Sequence, residues 1–311
     1  MITLSSTGGL LAAMNHAKRI AFTAYTLRSG PVLDGLVRAA TRGADVRVRL
    51  EGYIYHDNGN AVANANQAAL DALSAAGAKT DLYHRTKNDG QGMLHLKSAI
   101  VDDEVFLDDR NWPGDDRDTI LRDTFPADVA LVRGAQDGKT PWGNGLFAVG
   151  KKDALYIESR LLEKAKRGDD IRLQSESFGY CHAFSVLDDD AKVGAHVRVL
   201  VNARDLLGNL HERAAIERFI QDGGEVRICT DDEKFALVNG SRGYVGSANL
   251  SASLPGPDQI DWGMRTDNRD VLAHLSEVFD QRWNSSRAFA SVDASTTARS
   301  SDKTSATFAA V

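Results

Sequence analysis

Apolar and polar positions alternate along two short stretches that share one spelling. Gly43-Ala-Asp-Val-Arg-Val-Arg-Leu50 returns as Gly194-Ala-His-Val-Arg-Val-Leu-Val201, and alternation with period two marks a half-buried β-strand. A further strand-like run precedes each, over residues 19–25 and 170–178. Between the first pair, Leu33, Leu36, Val37 and Ala40 fall on one face of a helix over residues 33–41 that stops at Gly43. Downstream, a helix pattern and a short strand follow in each half: residues 64–76 then 79–83, and residues 210–221 then 225–229. A β-α-β-α-β order thus occurs twice. It predicts an α/β fold of two pseudo-symmetric lobes, each a mixed sheet flanked by helices, packed face to face. The join falls in the glycine-rich stretch 134–150, giving lobes over 1–150 and 151–289. A helix over about 153–166 opens the second lobe. A last helix, about 268–283, carries the stripe Val271, Leu272, Leu275, Val278 and Phe279, which reads as core packing. Beyond it, residues 290–311 are Ser/Thr/Ala-rich and are expected to form a flexible tail.

Composition narrows the function. The chain has 42% hydrophobic and 26% charged residues, the balance of a globular protein, so wholesale disorder is excluded. Its net charge of −6 argues against a protein that coats nucleic acid, which needs a basic face, yet leaves room for a local basic pocket. Two cysteines, Cys181 and Cys229, cannot make a disulfide framework or a cysteine-based zinc site, and free thiols are expected. The N-terminus has no positively charged leader, and no run approaches 18 apolar residues, so a cytoplasmic location without a spanning helix is expected.

The chemistry sits at matching points of the two lobes. The first reads His95-Leu-Lys97, with Asp102 and then Asp108-Asp109-Arg110-Asn111. The second reads Asp232-Glu-Lys234, with Asn239 and then Gly246-Ser247-Ala248-Asn249. Residues i and i+2 of an extended stretch face one side, so His95 and Lys97 share a pocket. Lysine is a cation for a phosphodiester oxygen, amides and hydroxyls are neutral donors, and histidine can attack phosphorus or move a proton. These residues resemble the phospholipase D superfamily, whose signature is H-x-K-x4-D followed by G-S-x-N. The resemblance extends over about residues 10–285.

That resemblance implies a phosphodiester hydrolase, or a phosphoryl or phosphatidyl transferase, working through a covalent phosphohistidine. His95 would be the nucleophile, Lys97 and Lys234 the phosphate clamps, and Asn111, Ser247 and Asn249 the donors to the phosphate oxygens, with no cofactor and no metal. Arg110 would offset Asp109 at the serine position, and His182 would line the cleft. The acidic residue that orients the family's histidine is sought at Asp128 for His95 and at Asp261 for the second lobe. The chain departs from the family in having one histidine where two are usual, since Asp232 stands in the second place. We expect Asp232 to replace that histidine as the acid, sharing a proton with Asp261. Expected substrates are a phospholipid headgroup, a small diester or a nucleic acid. Neither a basic amphipathic helix nor a basic stripe with aromatics selects among them. The alternatives are a catalytically impaired phosphate-binding member and a nuclease. Monomer or weak homodimer is expected. The pairs Asp102-Asp103, Asp108-Asp109 and Asp115-Asp116 could hold a divalent ion but read more simply as solvated loops.

Overall fold

A computed structural model describes residues 2–54, 60–84, 92–112, 119–137, 147–203, 209–251 and 259–289. One run of elements is followed by its copy. In the first lobe the order is β1 (Ile2–Ser5), α1 (Thr7–His16), β2 (Arg19–Ala24), α2 (Pro31–Thr41), β3 (Asp45–Glu51), α3 (Ala61–Ala75) and β4 (Lys79–Tyr83). It continues with β5 (Ser98–Val101), β6 (Glu104–Asp108), β7 (Ile120–Asp123) and α4 (Pro126–Gln136). The second lobe repeats it as β8 (Phe147–Val149), α5 (Lys151–Leu162), β9 (Asp170–Ser175), α6 (His182–Lys192), β10 (His196–Asn202), α7 (Leu210–Gln221) and β11 (Glu225–Cys229). Then come β12 (Phe235–Val238), β13 (Arg242–Gly246), β14 (Trp262–Thr266) and α8 (Arg269–Ser285), with β15 (Arg287–Ala288) added at the end. Because β8 already belongs to the second sheet, the second unit starts a few residues before the join expected at 150.

The first sheet has seven strands in the order β1-β7-β6-β5-β2-β3-β4, and the second has eight in the order β15-β11-β10-β9-β12-β13-β14-β8. In both, three parallel strands joined by helices meet an antiparallel hairpin. Alternation sorts the side chains into layers. Ile100, Val105, Leu107, Phe235, Leu237 and Val245 point into one core shared by the lobes, to which α4 and α8 add Val129, Val132, Leu275 and Phe279. Their neighbours Ala99, Val101 and Phe106 turn to the first lobe's outer helices, and Ala236, Val238 and Tyr244 to the second's. A two-sided sheet needs period two with apolar residues in both phases, and these strands have it. Cys181 and Cys229 are both free thiols.

The hairpins explain two oddities of the motifs. The β5–β6 turn is Asp102-Asp103 and the β12–β13 turn is Asn239-Gly240-Ser241, so the one-residue difference in spacing is absorbed at the turn. It never reaches the site: the Asp108 N–H donates to the Lys97 carbonyl as Gly246 N–H does to that of Lys234, both at 3.1 Å. At the turns, the Asp102 side chain accepts the backbone N–H of Arg19 at 2.9 Å, and Asn239 accepts that of Asp170 at 2.9 Å. The aspartate of the first motif is therefore a pin for the neighbouring strand. An amide oxygen serves equally, which accounts for Asn239.

Candidate active site

The His95–Lys97 stretch runs into β5 in extended form. Leu94 and Leu96 enter the shared core, so His95 and Lys97 turn the other way, into the cleft between lobes. His95 N–H donates to the Ile260 carbonyl at 3.0 Å and Ile260 N–H to that of Met93 at 2.9 Å, which stitches the motif to the second lobe. Asp261, next in the chain, thereby places Oδ1 2.7 Å from His95 Nδ1. The Ser247 hydroxyl donates to the same oxygen at 2.8 Å and accepts the Trp262 N–H at 3.1 Å. The other ring nitrogen, Nε2, lies 2.7 Å from Lys97 Nζ, and Tyr25 packs its ring edge-on with centroids 5.3 Å apart.

The electrostatics select a protonation state. Burial, then the Lys97 charge, push His95 below its ordinary value. Burial and the charge of Lys234 bring Lys97 down to about 7. Burial works against the Asp261 charge, but His95, Lys97 and Lys151 outweigh it and keep the carboxyl below its ordinary value. A neutral imidazole therefore donates Nδ1–H to a carboxylate and turns its Nε2 lone pair toward Lys97.

Lys234 faces this array from the second lobe, buried at 2% exposure. Its Nζ donates to the Asp232 carbonyl and, at 3.4 Å, to that of Asp109, and it pairs with Glu176 Oε2 at 3.4 Å. Burial would lower Lys234, but Glu176, Asp232 and Asp109 raise it, so it remains a cation. The Asp232 carboxylate receives Arg110 Nε at 2.9 Å. Burial opposes its charge, yet Lys234 and Arg110 hold it below the ordinary carboxyl value. Asn249 directs Nδ2 to Glu176 Oε2 at 3.3 Å, while its Oδ1 and that of Asn111 are buried with no hydrogen-bond partner among the described residues.

The structure thus gathers His95, Lys97, Asp232, Lys234, Asp261, Arg110 and Asn249 in one cleft, and it changes several expected pairings. His95 is oriented by Asp261 across the lobe boundary and not by Asp128. That residue lies in the first turn of helix α4, not on a strand. The shared proton expected between Asp232 and Asp261 does not arise, because each carboxylate has its own cationic or N–H partner. A mutually repelling acid cluster exists elsewhere: burial, Glu233 and Asp108 push Asp109 well above the usual range. Ser247 stands behind Asp261 instead of facing a phosphate. His182 is largely exposed at the start of α6, with Nε2 3.4 Å from Glu163, and does not line the cleft. Glu176 was not singled out from sequence. Its signal is the position one step past β9, which matches Tyr25 one step past β2.

Of the acidic pairs, Asp102 binds backbone N–H groups. Asp108 accepts the N–H of Arg110 at 3.0 Å and that of Trp112, and Asp109 that of Lys234 at 3.1 Å. Asp115 and Asp116 lie outside the described residues. Among those described, no group of three or more His, Cys, Asp or Glu is placed to hold a metal ion, and no helix is long and apolar enough to cross a membrane.

A family model described as a cardiolipin synthase, phospholipase D-like domain matches residues 10–108 and 159–283, one segment per lobe and most of the chain. The chain belongs to the phospholipase D superfamily. Its fold is similar to that of phosphatidylserine synthase from Haemophilus influenzae Rd KW20, with a TM-score of 0.65 at 14% identity over 93% of this chain and 87% of that one. It is also similar to polyphosphate kinase from Porphyromonas gingivalis, with a TM-score of 0.62 at 14% identity over 91% of this chain. The chain spans about half the length of that kinase, 47%. A search of curated sequences gave no match.

Proposed function

We propose that the chain cleaves a phosphodiester by way of a covalent phosphohistidine at His95 and passes the phosphoryl or phosphatidyl group to water or an alcohol. The observation that carries this reading is the polarised imidazole: Nδ1 held 2.7 Å from a buried carboxylate of the opposite lobe, and Nε2 2.7 Å from the buried Lys97, with the charge of buried Lys234 also felt at the ring. An anionic phosphate entering between Lys97 and Lys234 draws both ammonium groups to its oxygens and frees the Nε2 lone pair. Nε2 then bonds to phosphorus while the leaving oxygen departs with the P–O electron pair. The positive charge that develops on the ring is offset by Asp261. In the second half the oxygen of water or an alcohol attacks phosphorus and the P–N bond returns its electrons to Nε2.

Asp232 occupies the register of the second histidine. Ionised by Lys234 and Arg110, it suits the second half of the reaction, where it takes the proton of the attacking water or alcohol. This replaces the expected acid role with a basic one. Substrate chemistry follows from the clamp: one phosphodiester anion between two cations, whether in a phospholipid headgroup, a small diester or a nucleic acid.

The test is to incubate the full chain with a panel of phosphodiesters, quench in base and search for a histidine-linked phosphoryl adduct. An adduct on the wild type, absent from a folded His95→Ala variant whose turnover falls at least about 10⁴-fold, is the expected result. Tight binding without adduct or turnover would instead make this a phosphate-binding member of the family.

A further inference from the structure

The first half-reaction needs a proton for the leaving oxygen, and the group that gives it in a two-histidine site is absent here. We propose that Glu176 supplies that proton. The proposal rests on the phosphohistidine reading above and names a catalytic residue for it. Glu176 follows β9, whose Gln174 pairs with Phe235 at the start of β12, so the strand delivers its side chain beside Lys234. Its carboxylate is partly buried and lies 3.4 Å from Lys234 Nζ and 3.3 Å from Asn249 Nδ2, on two of the groups that are to grip the phosphate. In the first lobe the matching Tyr25 packs on His95, so the two residues past β2 and β9 flank the reacting centre from either lobe.

The cleft's other carboxylates are committed. Asp261 holds Nδ1, Asp232 is bound to Arg110, and Asp109 lies beneath the Lys234 backbone. Asp232 also draws on Lys234 but keeps Arg110 when a phosphate arrives, whereas Glu176 is held ionised chiefly by the clamp lysine Lys234. Burial and Asp232 favour its neutral form, and the lysines, Lys234 foremost, override them in the empty site. When a phosphate anion takes the two lysines, it removes that stabilisation and brings its own negative charge. Two anions in one pocket cannot both stay ionised, so the carboxylate takes a proton from solvent. It gives this proton to the departing oxygen as the P–O bond breaks and becomes a carboxylate again. The proton later lost by the attacking water or alcohol goes to Asp232 and back to solvent, so the cycle balances.

The experiment compares two diesters that share one side and differ in the leaving group. One carries p-nitrophenol, which departs without a proton, and the other a simple alkanol, which does not. Glu176→Gln is expected to lower kcat/KM for the alkyl diester about 10²- to 10³-fold and for the p-nitrophenyl diester less than about tenfold. The adduct at His95 should still form from the p-nitrophenyl diester. Glu176→Asp should restore part of the alkyl activity, and the alkaline limb of the alkyl kcat profile should vanish in Glu176→Gln. Equal losses on both diesters, or no loss on the alkyl one, with the wild-type adduct intact, overturn the role of Glu176 alone. A wild type that forms no adduct from either diester overturns the phosphohistidine reading first, and this proposal with it.

Discussion

Lys97 and Lys234 stand at the same register of two copies of one motif, are buried alike, and are driven in opposite directions. Burial lowers both. After burial, Lys97 feels the charge of Lys234 most and falls to about 7 despite Asp261, Glu176 and Asp108, whereas Glu176, Asp232 and Asp109 outweigh burial at Lys234 and raise it. Depth of burial therefore does not set the charge of a buried lysine: repulsion from Lys234 tips Lys97 down, and direct pairing with Glu176 holds Lys234 up. The division is useful for chemistry. In the proposed reaction Lys234 is the lasting cation of the clamp, and Lys97 is the one that titrates near neutrality beside His95 Nε2. The acids divide likewise: Asp261 of the second lobe serves His95 of the first, while Asp232 answers to Arg110, which also comes from the first lobe.

The sharpest way to break this comparison is to neutralise the two carboxylates separately. Asp261→Asn leaves the shape of the site but removes the charge that offsets the developing imidazolium and frees the ring tautomer. A loss of about 10³-fold in kcat is expected, with adduct formation slowed. Asp232→Asn is expected to cost less, about 10²-fold, and to do so in the second half, so that adduct accumulates during turnover. Rapid-quench measurement of the adduct separates them. Equal adduct levels in the two variants would erase the distinction between an orienting and a proton-accepting carboxylate.

Much of the frame behind these residues was legible in the sequence, because the repeat fixed the order of elements and strand alternation fixed which side chains share a face. Helix α7 and strands β4 and β11 fall on the expected residues. The edge strands β1 and β8 were not expected: each is short and owes its existence to antiparallel pairing with β7 or β14 rather than to its own pattern. Asp128 was misplaced because it was matched by resemblance to the family's acidic residue and not by the pattern of its own segment. The overlooked signal was Pro126, which suits the first turn of a helix, with Val129, Val132 and Ala135 spaced along its buried face. The crossed pairing of Asp261 with His95 was illegible for a deeper reason. Which lobe's acid meets the histidine depends on how the sheets dock, a contact between residues 166 positions apart.

The two lysines also differ in what pH should do to them. Acidification protonates His95, whose value lies below the ordinary 6.5, and removes the nucleophile. Alkalinisation through about 7 discharges Lys97 and weakens the grip on phosphate. The kcat/KM profile of the free enzyme should rise through the first value and fall through the second, about tenfold per pH unit on the outer limbs. Lys97→Arg should abolish the alkaline limb, since arginine does not titrate there. Lys234→Arg should leave it in place, because Lys234 already stays charged. A limb that disappears in both variants would mean that the lysines act as one coupled pair.

The smallest expected effect concerns stability, and it compares the helices that open the two lobes. Seven residues beyond the start of α1 stands Met14, fully buried; at the same point of α5 stands Glu158, 3% exposed, with Oε2 lacking a hydrogen-bond partner among the described residues. Burial pushes Glu158 from 4.5 up to about 8, so the folded chain keeps this proton at neutral pH while the unfolded chain has lost it. Between these values the native state binds the extra proton, and stability falls as pH rises through the window. Glu158→Met removes the burden and copies the first lobe. The variant should match the wild type near pH 4 and gain about 1–3 kcal/mol by pH 8, read from denaturant unfolding at each pH. A gain that does not grow with pH would show that Glu158 is ionised in the fold, paired with a cation as the acids of the cleft are.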